Sequence, residues 1–132
     1  MSFYTAINCM DGRVQLPLNA YLQARFGVSY IDTITEPGPA LILAEGTRHE
    51  LIASIHERIR ISVEKHHSLG IAVAGHHDCA GDPCHVHENR EHIRIAADKL
   101  RAAYPAVPVI GLWIDENWAV SEVYPKVSAA IA

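Results

Sequence analysis

Gly70-Ile71-Ala72-Val73-Ala74-Gly75 carries no polar side chain and runs straight into His76-His77-Asp78-Cys79. A run this short is far below the roughly 18 residues that cross a bilayer. It suits a strand covered on both faces, which is the habit of parallel sheets with helices packed on either side. Such a strand cannot stand alone. The rest of the chain has to supply parallel partners and the helical crossovers that join them.

The remaining sequence supplies both. Phe3–Asn8 is a short β-favouring run that ends in Cys9. Pro17 marks the first turn of a helix carrying Leu18, Leu22, Ala24 and Phe26, and Gly27 stops it. Residues 28–35 (VSYIDTIT) alternate and are rich in β-branched side chains, so they predict a strand, broken by Glu36-Pro37-Gly38-Pro39. Over residues 47–68, Ile52, Ile55, Ile59 and Val63 recur at helical spacing. A His-rich loop over 76–87 leads to a charged helix over 88–103, whose buried stripe is Ile93, Ala96, Ala97 and Leu100. Residues 107–114 form a fourth strand and 118–123 a short fifth. The expected fold is α/β, a mostly parallel four- to five-stranded sheet flanked by helices, in one domain over residues 1–132. Function in such sheets gathers beyond the carboxyl ends of the strands.

Charge narrows the partners. A net charge of −4 and a pI near 6.1 argue against nucleic acid and against an anionic membrane surface. Nine histidines against 11 Lys+Arg is the unusual entry in the composition, because imidazole is both a metal ligand and a near-neutral acid or base. Cys9, Cys79 and Cys84 are odd in number and irregular in spacing, which suits free thiols in a reducing compartment. Met1-Ser2-Phe3-Tyr4-Thr5 lacks the basic-then-apolar pattern of a secretory leader. A cytoplasmic protein is expected.

Two strand ends carry the chemistry. Zinc takes thiolate, imidazole and carboxylate ligands, and a catalytic zinc keeps one position open. If the strands ending at Cys9 and His76 are neighbours, Cys9, His76 and Cys79 can meet on one ion. Asp11 and Arg13 stand two residues apart beside Cys9, where a guanidinium can hold a carboxylate ionised and aim it. The plainer alternatives are a Cys9 that is only a small core residue and an Asp11–Arg13 pair that is an ordinary loop ion pair.

Cys9-Met10-Asp11-Gly12-Arg13 resembles the Cys-x-Asp-x-Arg motif of β-class carbonic anhydrases, and Gly75-His76-His77-Asp78-Cys79 resembles that family's Gly-His-x-x-Cys. Residues 109–113 (VIGLW) are similar to its last core strand, so the likeness spans about residues 3–123. It implies a β-carbonic-anhydrase-like core with Cys9, His76 and Cys79 as zinc ligands. Asp11 is then either a fourth ligand or, paired with Arg13, the acceptor that orients the attacking water. It further implies reversible hydration of carbon dioxide to bicarbonate, with carbonyl sulfide or carbon disulfide hydrolysis and a non-catalytic zinc protein as alternatives, and a homodimer or higher homo-oligomer. Thr35-Glu36-Pro37-Gly38-Pro39 stands where the family usually has Arg-Asn-Ala-Gly, and Ala80 where it usually has glycine. The pocket wall is therefore expected to differ.

Cys84, His85, His87 and His92, with Cys79, spell a second array that either binds its own metal or is a set of solvated loop groups. His77 is the nearest candidate for passing protons to bulk water. His49, His56, His66 and His67 are expected on the surface of their helix.

Overall fold

Which strands lie side by side decides whether Cys9 and His76 can meet. In the computed structural model, which describes residues 1–125, the chain runs β1 (Phe3–Cys9), α1 (Gly12–Phe26), β2 (Tyr30–Glu36), α2 (Pro39–Glu45), α3 (His49–Arg60), β3 (Ile71–His76), α4 (Val86–Ala103), β4 (Val109–Ile114) and β5 (Val120–Tyr124). The strand order is β2-β1-β3-β4-β5. β1 pairs in parallel with both β2 and β3, with Thr5 opposite Ile71 and Ile7 opposite Val73. β3 and β4 are parallel, and β5 closes the edge antiparallel. The expected mostly parallel sheet is the fold of this chain.

Period-two alternation along the strands gives each face of the sheet its own core. Tyr4, Ala6, Ala72, Ala74, Leu112 and Ile114 point to the face covered by Val14, Leu18 and Leu22 of α1. Ile7, Ile71, Val73 and Trp113 point to the other face, against α2, α3 and α4. Leu18 and Leu22 are fully buried, and each such burial stabilises by about 1.5–3 kcal/mol. The chain crosses from one face to the other between β1 and β3. That reversal opens a crevice at the carboxyl ends of those two strands, where Cys9 and His76 sit.

Several boundaries differ from the sequence reading. α1 begins at Gly12, five residues before Pro17, because Asp11 caps it: the carboxylate accepts the Arg13 N–H at 2.9 Å. Pro17 thus lies inside the helix and leaves the Arg13 carbonyl without its usual donor. The buried residues of α1 are Val14, Leu18 and Leu22, while Ala24 is exposed. The long helix over 47–68 is α3 followed by one π turn over Ile61–Lys65, and a further helix, α2, opens at Pro39 directly after the Pro-Gly breaker. Among the described residues no helix is long and apolar enough to cross a membrane.

Candidate metal centre

β1 and β3 are adjacent and parallel, so Cys9 and His76 leave the sheet at the same edge. The turn after β3 brings Cys79 back to them, helped by Asp78 in the left-handed region at φ 54. One donor atom each from Cys9, His76 and Cys79 lies within 4.8 Å of the other two, and all three residues are buried. The sulfurs of Cys9 and Cys79 are 3.9 Å apart. Two thiolates on one tetrahedral zinc sit about 3.8 Å apart, given Zn–S bonds near 2.3 Å.

His76 Nδ1 lies 2.6 Å from the His77 carbonyl. A carbonyl only accepts, so Nδ1 carries a proton, and in the neutral ring Nε2 keeps its lone pair. Nε2 is buried and has no hydrogen-bond partner. Buried polar atoms are nearly always partnered, and an orphaned imidazole lone pair facing two thiols has the form of a ligand. The donor set of two sulfurs and one nitrogen fits zinc.

The thiol pair is polarised: Cys9 is pulled down, chiefly because the Cys79 S–H donates to it; burial opposes this, and His76 and the backbone N–H groups of Gly38 and Asp11 assist. Cys79, as donor beside that sulfur and buried, is pushed up. Burial draws His76 down, but the neighbouring Cys9 sulfur outweighs it and the imidazole is raised.

Asp11 lies outside this group of donors. Its carboxylate takes Arg13 Nη2 at 2.7 Å and Nε at 3.1 Å, a two-pronged grip that holds its pKa well below the usual carboxylate range. Arg13 is itself bracketed. Nη1 reaches Asp78 at 3.3 Å, and the guanidinium lies 4.9 Å from the centre of the Trp118 ring. Sequence reasoning missed both partners. Trp118 comes from the turn before β5, a contact across 105 positions that no local pattern announces.

Beside the donors is a cavity of about 10 Å³, room for about one water centre. Pro39, Ala40 and Ala74 give it an apolar side, and Asp82 and Asn89 a polar one. Gly38, at φ +65, packs on the loop after β3 so closely that a Cβ there would stand 2.7 Å from the Gly81 carbonyl carbon. The departure Thr35–Pro39 thus builds this wall by backbone-to-backbone contact.

The second array does not assemble as spelled. Cys79 belongs to the first cluster, and His85 and His87 are exposed. Cys84 and His92 instead meet Asp82, which was not singled out, with donor atoms within 4.8 Å. His77 is half-buried, 5.3 Å from the Trp118 ring, and uses its carbonyl to orient His76. His49, His66 and His67 are exposed; His56 is half-buried on the Tyr104 hydroxyl at 2.6 Å.

A family model described as "Putative carbonic anhydrase" matches residues 1–124. Two solved structures share the fold. One is a β-carbonic anhydrase, from a study of two tetrameric ones, of the filamentous ascomycete Sordaria macrospora (14% identity, TM-score 0.53, covering 92% of this chain and 80% of that one). The other is the β-carbonic anhydrase CafA of Aspergillus fumigatus (15% identity, TM-score 0.56, covering 98% and 78%). The comparison with curated proteins gives no match.

Proposed function

The chain belongs to this carbonic anhydrase family, and on that premise we propose that Cys9, His76 and Cys79 hold a zinc ion and that the protein interconverts carbon dioxide and bicarbonate. The observation that carries the reading is the unpartnered Nε2 of His76, buried beside two sulfurs 3.9 Å apart. Bound there, zinc supplies the acidity that turns water into hydroxide near neutral pH.

The surrounding residues have separate tasks. His77 fixes the ring of His76 through its carbonyl, so that Nε2 and not Nδ1 faces the metal. Arg13 holds Asp11 away from the donor atoms of Cys9, His76 and Cys79. Asp11, ionised across the neutral range, would accept a hydrogen bond from water activated by the zinc and orient it. Asp78 and Trp118 keep Arg13 in place for this. Pro39, Ala40 and Ala74 offer carbon dioxide an apolar wall. We extend the proposal to a homo-oligomer of one-domain subunits, since the Sordaria relatives are tetrameric.

Metal analysis with stopped-flow hydration tests the reading. The expected result is zinc bound through Cys9, His76 and Cys79, with hydration that rises with pH. Zinc-filled protein with no hydration at about pH 8–9, where zinc-activated water is largely hydroxide, would leave a non-catalytic zinc protein. Turnover of carbonyl sulfide or carbon disulfide in its place would move the substrate and keep the centre.

A further inference from the structure

We propose that Asp82, Cys84 and His92 form a second site for a borderline divalent metal ion such as zinc, distinct from the Cys9–His76–Cys79 centre. Asp82 Oδ1 takes the Cys84 thiol at 3.0 Å and Oδ2 takes His92 Nδ1 at 2.7 Å. The Asp82 side chain is 8% exposed, and among the described residues the one basic side chain within reach of its carboxylate is His92. A carboxylate this far from water needs a compensating cation. Here the two groups bonded to it, a thiol and an imidazole, are themselves zinc ligands.

The frame around them is built to hold this geometry. Asn89 is buried and sits one turn before His92 on α4. Its Nδ2 donates to Cys84 Sγ at 3.2 Å and to the Asp82 carbonyl at 3.0 Å. Donors to a ligating sulfur are typical of the layer that orients metal ligands. The Cys84 N–H also bonds the Asp82 carbonyl at 2.9 Å, tying the two ligand-bearing residues together across Pro83.

Binding balances simply. Cys84 gives its thiol proton to solvent, and His92 moves its Nδ1 proton to Nε2 so that the Nδ1 lone pair faces the ion. Asp82 supplies one oxygen, so two anionic ligands neutralise the divalent charge. A groove lined by Arg13, Asp78, Asp82 and Cys84 joins this cluster to the mouth of the first centre. The second site stands or falls independently of carbonic anhydrase activity.

Zinc titration of the full chain, read by metal content after removal of free metal, tests it. Wild type is expected to hold two equivalents and Cys84→Ala and His92→Ala one each. Cys9→Ser should keep one, and the double variant His85→Ala/His87→Ala should keep two. A wild type that saturates at one equivalent overturns the site, as do two equivalents retained in both Cys84→Ala and His92→Ala. Cadmium NMR of wild type covers the case in which those variants do not fold. Two resonances are expected, one in the range of two-sulfur sites and one in that of one-sulfur sites; a two-sulfur resonance alone overturns the proposal. Failure of the first centre would look different, with Cys9→Ser losing no metal.

Discussion

Two clusters of metal-ligating side chains share one mouth of this molecule, and they differ in whether their polar atoms have partners. Asp82, Cys84 and His92 satisfy one another, with each carboxylate oxygen taking one donor. Cys9, His76 and Cys79 do not, since Nε2 of His76 is left without a partner. In the first cluster Cys9 and His76 stand at the ends of two adjacent strands, and the turn after β3 brings Cys79 to them. The second is held by a short loop and one helix face. An orphaned buried atom on a rigid frame is what the proposed zinc centre would use without rearrangement. Both clusters release thiol protons to a metal, but only the second must also give up the bonds that Asp82 makes to Cys84 and His92, so the first centre should fill before the second.

The largest effect that could break this contrast is on stability. His76→Ala should lose zinc from the first centre and lower the unfolding temperature of zinc-treated protein far more than Cys84→Ala does. Structural zinc contributes on the order of 10 kcal/mol in zinc-finger peptides. Equal losses in thermal unfolding would erase the distinction. Next comes catalysis: Arg13→Ala should keep zinc yet hydrate carbon dioxide about 10²-fold more slowly, as Asp11 swings onto the metal. Hydration at the wild-type rate would remove Arg13 and Asp11 from the mechanism.

Smaller effects sharpen the picture. Gly38→Ala places a Cβ against Gly81 at a positive φ and should cost about 1–3 kcal/mol in chemical denaturation, with weaker zinc binding at the first centre. The smallest effect is on titration. Asp11 is depressed, so the contribution of its ion pair is full above the ordinary carboxylate pKa of about 3.9 and is lost as pH falls through the lower folded value. Arg13→Ala should bring Asp11 back up toward the ordinary range. Carboxyl NMR showing protonation at the same pH in both proteins would deny the grip.

The sheet and the first cluster were legible because each rests on short-range signals. Unbroken or alternating β-branched runs marked β1 to β4, and Cys9, His76 and Cys79 stand at or just past strand ends. Pro17 misled because proline is common in a helix's first turn, whereas Asp11 caps α1 a full turn earlier. α2 was hidden by the Pro37-Gly38-Pro39 breaker, of which Pro39 is also an acceptable first helical residue. Sequence spacing grouped Cys84, His85, His87 and His92 with Cys79, and of these only Cys84 and His92 come together. Asp82, which spacing did not pick out, joins them because of where α4 starts and which face it turns inward. The bracket on Arg13 joins three loops, and no local pattern carries that.

The order of filling is the central claim, and the sulfur count around zinc tests it most directly, because the first cluster holds two thiols and the second one. X-ray absorption on wild-type protein given less than one equivalent of zinc should show two sulfurs per ion, with nitrogen and oxygen completing the shell. One sulfur per ion at that loading would put the first zinc on Asp82, Cys84 and His92, and would contradict the account.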